Sequence, residues 1–331
     1  MVLLMSSFFI ARLTLFALAV VVSPVWAQLT AEQQSAKAKG LALYQMEFDE
    51  EAVPLLELAA QAGDPEAQYY MGEIQRQKTM FMSLVAQRWY EKSADQGDIY
   101  AMLRLATADN TVCKLSENCA SFVKKPEQWG NIARNLGRQG AAQGDGEAMF
   151  QLYLLTSDFD WLVESAEAGF PEGQNLLGLY YQEGKGIFLI PGKREKETER
   201  LFRAAAESGY VPAMGNLSGL LLARSDIKGL GYWIEAAAQR GHYGAMTSYA
   251  AWTAHMPDQV GYPLDMVKAY GLTLLLAQAD PGTWRKSYGE KALEEVAALM
   301  NPEQIEAGKA FAEEWENTHP PLSRFLPKYG Y

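Results

Sequence analysis

The stretch SAEAGFPEG, residues 165–173, decides the fold of this chain, because its pattern recurs along the sequence. The pattern is a small residue, alanine, two variable residues, glycine, three variable residues and a small residue. Five further stretches follow it, and their glycines are Gly63, Gly97, Gly144, Gly209 and Gly241. Six windows at intervals of 25 to 47 residues indicate an internal repeat rather than chance.

Each repeat is predicted to contain a pair of helices. Two small residues at the end of one helix allow a neighbouring backbone to approach closely, and glycine suits the left-handed conformation that ends a helix. The next helix begins within a few residues, and a large apolar residue follows its small residue by four positions. These apolar residues are Met71, Leu105, Leu152, Leu177, Leu217 and Tyr249.

One pair of short helices cannot bury its own apolar face, so adjoining pairs must cover it. We therefore predict an all-α fold, an α/α solenoid of about seven helix pairs that winds as a right-handed superhelix. The β-like tetrad at residues 187–190 lies in a predicted loop, which we expect to be tucked under the solenoid, with an exposed anchor as the alternative.

Two parts of the sequence resemble a known family. The segments 173–186 (GQNLLGLYYQEGKG) and 203–209 (RAAAESG), together with AQRWYEKSA at 86–94, resemble the Sel-one-like repeat (SLR) family, a relative of the tetratricopeptide repeat. The resemblance covers about residues 30–316 and implies a C-terminal capping helix over 300–315. It also implies that exported members act as interaction scaffolds, some of them immunity partners that neutralise secreted phospholipase toxins.

The first 27 residues are typical of a signal peptide. Arg12 precedes an apolar run over 13–22, and the small residues Val25 and Ala27 suit cleavage after Ala27. A membrane anchor is the alternative, although the run is shorter than the roughly 20 residues of a membrane span. We expect a periplasmic or secreted protein, not membrane-spanning after cleavage, with a solenoid over 28–316 and a proline-rich, aromatic tail over 317–331.

The charge balance points to a protein partner. The chain carries 40 acidic and 29 basic side chains, a net charge of −11, which disfavours nucleic acid and favours a basic partner.

Cys113 and Cys119 lie in one irregular stretch, and export favours a disulfide between them over two free thiols. Two cysteines are too few for a structural zinc site.

The sequence holds no convincing catalytic or cofactor motif. Its three histidines, His242, His255 and His319, are not at metal-ligand spacing, so no metal or cofactor is expected. Ser-x-x-Lys occurs at 121–124 and 225–228 without the other motifs of penicillin-type enzymes. The pairs Glu164-Ser165 and Glu207-Ser208, possible counterparts of a transglycosylase site, belong to the repeat pattern, and we predict a non-enzymatic protein.

In the related tetratricopeptide fold, the first helix of each pair lines the concave side. The positions of residues along those first helices predict which side chains bind a partner. The alternative is that Phe150, Leu154 and Leu179 belong to the core. The predicted residues are Tyr69, Glu73, Phe150, Leu154, Asn175, Leu179, Gln182 and Thr247.

The function that we predict is to bind another protein, a basic secreted toxin or an envelope protein. An immunity role against a secreted lipase-type toxin is the specific hypothesis. A cell-wall hydrolase or β-lactam-type enzyme and an envelope assembly factor are the alternatives.

Overall fold

The computed structural model describes residues 29–79, 81–108, 124–279 and 284–329, with the side chains of 284–288 left aside. Within these residues the chain forms sixteen helices and no β-strand. The first eight are α1 (Ala31–Gln45), α2 (Asp49–Gln61), α3 (Pro65–Thr79), α4 (Leu84–Ala94), α5 (Ile99–Ala106), α6 (Pro126–Ala141), α7 (Gly146–Thr156) and α8 (Phe159–Glu167). The others are α9 (Pro171–Gln182), α10 (Lys193–Glu207), α11 (Val211–Ala223), α12 (Ile227–Ala238), α13 (Tyr243–Thr253), α14 (Met266–Gln278), α15 (Trp284–Ala297) and α16 (Pro302–Thr318).

The helices pack in series. Each helix contacts the next one along the chain, from α1 through to α15. The first helices of neighbouring pairs also meet, as α5 meets α7 and α7 meets α9, and α16 packs on α14. The prediction of an all-α solenoid of helix pairs is thereby confirmed: α1 to α14 form seven pairs, and α15 and α16 close the C-terminal end.

The six repeat glycines adopt the left-handed conformation that the pattern predicts. Their φ angles lie between 81° and 99°. The residue after each glycine donates its backbone N–H to the carbonyl five positions earlier, as in Asp64 to Ala59 at 3.1 Å and Phe170 to Ser165 at 3.1 Å. This turn satisfies carbonyls that the helix end leaves free and directs the chain into the next helix.

The serines of the repeat pattern hold neighbouring helices together. The Ser93 hydroxyl donates to the Pro65 carbonyl at 2.8 Å, and the Ser165 hydroxyl donates to the Gly146 carbonyl at 2.7 Å. Both serines are fully buried, and both bonds join the end of a second helix to the start of the preceding first helix. A polar group buried in this way needs such a partner.

Small residues on the first helices let aromatic rings of the second helices pack against the backbone. A Cβ added at Gly72 would lie 2.6 Å from the Tyr90 ring, and one at Gly178 would lie 2.6 Å from the Phe202 ring. Both rings are fully buried. Since protein interiors are close-packed, these glycines are required by contact rather than by backbone conformation.

We expect Gly178→Ala to destabilise the chain by about 1–2 kcal/mol, because the added methyl group overpacks the buried Phe202 ring. Gly219→Ala is the matched control, since Gly219 is also helical and its added Cβ would meet no atom within 4 Å. That variant should gain about 0.5–1 kcal/mol from helix propensity. Urea unfolding followed by circular dichroism measures both, and effects of the same sign would contradict the packing argument.

The expectation for the loop at 187–190 is wrong. Ile187 and Leu189 are each 90% exposed and Ile190 is 63% exposed. Only Phe188 packs inward, edge-on against Tyr181 with ring centroids 4.9 Å apart. The loop lies outside the stacked helices, so no neighbouring unit covers its aliphatic side chains.

Within the described residues, none of the helices has both the length and the apolar character that a membrane crossing requires.

Candidate functional site

The C-terminal residues 319–329, here called the tail, leave α16 and run back across the solenoid. The tail first meets the turn before α13. The Ser323 N–H donates to the Gly241 carbonyl at 2.8 Å, and the Tyr243 N–H donates to the Ser323 carbonyl at 3.0 Å. These two bonds pair the tail with the backbone of the repeat in the manner of a short parallel bridge.

The tail next binds the end of α1 through one side chain, Gln45. The Arg324 N–H donates to the Gln45 carbonyl at 3.1 Å. The Gln45 amide then accepts from the Leu326 N–H at 2.7 Å and donates to the Leu326 carbonyl at 3.2 Å. Both backbone groups of Leu326 are thus bonded by α1, and the Arg324 side chain adds an ion pair with Glu47 at 3.1 Å.

The end of the tail lies on α3 and α5. The Lys328 ammonium is 3.0 Å from the Asp98 carboxylate, and the Tyr69 hydroxyl donates to the Lys328 carbonyl. The Tyr329 ring lies under the Arg104 guanidinium, 3.9 Å from the ring centroid. We call the surface formed by Gln45, Tyr69, Asp98, Arg104 and Gly241 the tail groove.

The tail groove shows how strongly the solenoid curves. A fully extended segment from Ser323 to Tyr329 spans at most about 25 Å. It nevertheless joins Gly241, at the start of the seventh pair, to Arg104 in the third pair. Every groove residue belongs to a first helix or to the turn that precedes one, so the first helices face inward around the tail.

A buried ion-pair network lies under the end of the tail. Glu73 is 1% exposed, and its carboxylate accepts from Arg104 Nε at 2.6 Å and from Arg76 at 2.8 Å. The Tyr90 hydroxyl donates to the same carboxylate at 2.8 Å. Burial acts to raise the pKa of Glu73, but the charges of Arg104 and Arg76 outweigh it and the pKa is lowered. The carboxylate therefore stays ionised and fixes Arg104 as the platform for Tyr329.

A cleft lined by acidic residues opens beside Lys328. Its volume is about 510 Å³. Asp98 and Asp145 contribute carboxylates from the N-caps of α5 and α7, and Glu66 and Glu147 contribute two more. Lys328 pairs with Asp98 and Lys37 pairs with Glu66, so the other two carboxylates give the opening a net negative potential that attracts cations.

Glu172, at the start of α9, has a perturbed pKa. Burial and the neighbouring Glu147 carboxylate raise its pKa to about 7. Glu147 lines the acidic cleft, so this second carboxylate lies close behind it. Glu172 should therefore change its charge near neutral pH and alter the potential of the cleft.

We expect Glu172→Gln to stabilise the chain by about 1–3 kcal/mol at pH about 8.5 and to have little effect at pH about 4, below the ordinary glutamate pKa. The folded state favours the neutral acid, so the stability of the parent chain falls as pH rises from the ordinary glutamate pKa through about 7. Thermal unfolding at both pH values measures the difference. Glu167→Gln, at an exposed position, is the control, and a gain that does not depend on pH would contradict the interpretation.

Four of the predicted partner-binding residues are buried, and for Phe150 this is the core position that was stated as its alternative. Tyr69, Glu73, Phe150 and Asn175 are each at most 7% exposed. Phe150 packs on Phe170, and Asn175 accepts a hydrogen bond from Asn216 at 2.7 Å. The reason is that each first helix has another first helix on either side, which covers these positions. Of the four, Tyr69 reaches the tail through its hydroxyl.

The other four predicted residues are more open. Leu154, Leu179 and Thr247 are half-buried, and Gln182 is exposed. Leu154 and Leu179 pack against the core, as the alternative for them stated. Thr247 donates its hydroxyl to the Tyr243 carbonyl at 3.1 Å. Partner binding by these residues stays a prediction.

Sequence reasoning missed Gln45, Asp98, Arg104 and Lys328. One signal was present, since Arg104 stands alone among the apolar residues of IYAMLRLA at 99–106. A single charge in such a helix indicates a buried partner, here Glu73. Nothing local distinguishes Gln45 or Lys328, because Gln45 contacts Leu326 across 281 positions and Lys328 contacts Asp98 across 230.

The residues weighed for chemistry have structural roles or are not described. Ser165 donates to Gly146, and the His242 ring accepts from the Ala245 N–H at 3.0 Å as the N-cap of α13. Cys113, Cys119 and Ser121 lie outside the described residues, so the disulfide stays a prediction. In the part of the chain that the structure covers, no three His, Cys, Asp or Glu side chains are grouped to hold a metal ion.

Comparison with known proteins adds two structural neighbours. One is a protective antigen of uropathogenic Escherichia coli strains displaying an SLR fold, with 18% identity, a TM-score of 0.47 and 88% of this chain covered. This chain spans 62% of that protein's length. The other is a Sel1 repeat protein of Oxalobacter formigenes, with 20% identity, a TM-score of 0.40, 73% of this chain and 99% of that one covered. No family model and no curated protein matches the sequence.

Proposed function

We propose that this chain is a protein-binding scaffold whose tail groove holds an extended segment of another protein. The observation that carries the proposal is the tail itself, a segment without helix or strand that runs along the groove with Phe325 in the left-handed conformation. Residues 323, 324 and 326 are bound through their backbone groups. Main-chain bonds of this kind supply affinity for any extended chain, while adjoining side-chain pockets supply specificity.

Charge supports a basic partner. The net charge of −11 and the acidic cleft at the end of the groove attract positive segments at long range and repel phosphate-rich surfaces. The solenoid also presents a long inner surface built from first helices of successive pairs. Such repeat surfaces are suited to extended partners because every unit adds contacts.

Site-specific photo-crosslinking on the full chain tests this proposal. A crosslinker at Thr107, which is exposed and lies 3.4 Å from the Tyr329 hydroxyl, reports on the groove. One at Tyr232, which is 65% exposed on the second helix α12, is the control. We expect a defined protein adduct at position 107 and none at 232, followed by sub-micromolar binding of the purified partner. Equal adducts at both positions, or none at 107, would refute the scaffold.

The site of action that we propose is the periplasm, reached through the signal peptide at 1–27. Support comes from the apolar run and the small residues before Gln28. Fractionation of cells and N-terminal sequencing of the purified protein test it. A chain that starts at Gln28 in the periplasmic fraction is expected, and an uncleaved chain in the cytosol would contradict export.

The partner class that we propose is a basic secreted toxin of the lipase type, which the chain would neutralise as an immunity protein. The acidic cleft beside the tail groove and the resemblance to exported repeat scaffolds support this choice. Cells that express a candidate toxin in the periplasm should survive when this chain is co-expressed. Failure to protect against any basic lipase-type toxin would refute the immunity role without affecting the scaffold proposal.

A further inference from the structure

The cation of Lys328 lies in a cage of one carboxylate and two aromatic rings. Its ammonium is 3.0 Å from Asp98, 4.6 Å from the centroid of the Tyr100 ring and 5.2 Å from that of Tyr69. Carboxylate and ring faces are the two kinds of group that attract an ammonium ion. Both rings are buried when the tail is in place, and the Tyr69 hydroxyl also donates to the Lys328 carbonyl.

The position next to the cage recognises an aromatic ring. Arg104 lies over Tyr329 at 3.9 Å, and Glu73 holds the Arg104 guanidinium by two hydrogen bonds of 2.6 and 3.1 Å. Because Arg104 is fixed from below, it offers a planar surface on which a ring stacks at little entropic cost. The tail groove thus binds a lysine side chain and the aromatic side chain that follows it at adjacent positions.

The tail is bound loosely enough to be replaced. Every residue from 322 to 329 is half-buried, and Leu322, Phe325, Leu326 and Tyr329 pack against the outside of the solenoid core. The side chain of Lys328 is 30% exposed, whereas that of Asp98 is 9% exposed. A terminal segment with this degree of burial opens locally without unfolding the domain. The acidic cleft beside Lys328 leaves about 510 Å³ for further groups of a larger ligand.

We propose that the cage of Asp98, Tyr69 and Tyr100 is a recognition site for a lysine followed by an aromatic residue in an extended segment of a partner protein. Lys328 and Tyr329 of the tail occupy this site until such a segment displaces them. The inference rests on the proposed scaffold function and names the chemistry that the partner must present.

The test uses the full chain and a labelled synthetic peptide with the sequence of residues 322–331. Lys328→Glu in the protein should empty the cage, because a glutamate is repelled by Asp98 and its neighbours. We expect the peptide to bind this variant at least about tenfold tighter than it binds the parent chain, where the tail competes. Equal or undetectable binding to both proteins would overturn the proposal.

The conservative variant Asp98→Asn, combined with Lys328→Glu, isolates the charge. Asp98 also accepts from the Ala101 N–H at 3.1 Å as an N-cap, and asparagine keeps that role. We expect peptide affinity to fall at least about tenfold. Asp226→Asn in the same background is the matched control, since Asp226 caps α12 through Gly229 at 2.9 Å away from the cleft.

A change in the peptide alone leaves the protein unaltered, so differences in protein folding cannot affect the result. A peptide in which the lysine is replaced by glutamine should bind the Lys328→Glu protein at least about tenfold more weakly. Equal binding of the two peptides would overturn lysine recognition.

Excess peptide also separates this inference from the scaffold proposal. Partner adducts at Thr107 that the peptide suppresses support lysine recognition. Adducts that persist would overturn it and leave the scaffold intact, whereas the absence of adducts refutes the scaffold itself.

Discussion

Replacing Glu73 with alanine is expected to destabilise the chain by about 3–5 kcal/mol. The change leaves the Arg104 guanidinium, whose side chain is 9% exposed, without the carboxylate that it contacts at 2.6 Å. The Tyr90 hydroxyl loses the same acceptor inside the core. A buried charge without its partner costs far more than the loss of a surface ion pair, so urea unfolding should show a large drop in midpoint.

Two control variants test whether loss of the buried ion pair causes this destabilisation. Glu313→Ala removes an exposed glutamate and should change stability by no more than about 0.5 kcal/mol. The double variant Glu73→Met/Arg104→Met removes both charges together and should recover most of the loss. If the double variant lost as much unfolding free energy as the single variants at Glu73 and Arg104 lose together, the broken ion pair would not be the cause.

The effect of Glu73→Ala should also depend on pH. The pKa of Glu73 is lowered in the folded state, so its stabilising contribution is present above the ordinary glutamate pKa. That contribution is lost as pH falls through the lowered pKa, because the carboxylate is then protonated in both states. The difference between the parent chain and the variant should therefore shrink in acid, and a constant difference would contradict the assignment.

Gly241→Ala is expected to release the tail. An added Cβ at Gly241 would lie 2.4 Å from the Pro321 carbonyl oxygen, which is impossible without movement of the tail. The left-handed φ of 81° adds a backbone cost of about 1–2 kcal/mol. Trypsin should then cleave after Arg324 about tenfold faster or more, since the backbone at this site is no longer bound.

Gly169→Ala is the matched control for tail release. Gly169 has a similar φ of 87°, and its added Cβ would meet no atom within 4 Å. Both variants should lose the same backbone contribution to stability, but only Gly241→Ala should expose the tail. Mass spectrometry of the intact chain during proteolysis measures the rates. Equal cleavage of the two variants would show that the tail is not held at Gly241.

The helix pairs, their order and the turns between them follow from local patterns in the amino-acid sequence. Gly169 takes the left-handed conformation that the repeat pattern predicts. Helix ends, caps and periodic apolar positions obey local rules, and six repeats of one pattern reinforce one another. Burial of the apolar helix faces then leaves serial stacking as the available fold.

The course of the tail, the burial of Glu73 and the composition of the tail groove depend instead on contacts between distant parts of the folded chain. Tyr69 meets the Lys328 carbonyl across 259 positions of sequence, and no local pattern encodes such a contact. Register on α3 placed Tyr69 and Glu73 on the inner side but could not show what covers them. The curvature of the stacked pairs brings distant units around one segment, and that curvature arises from small rotations summed over all the repeats.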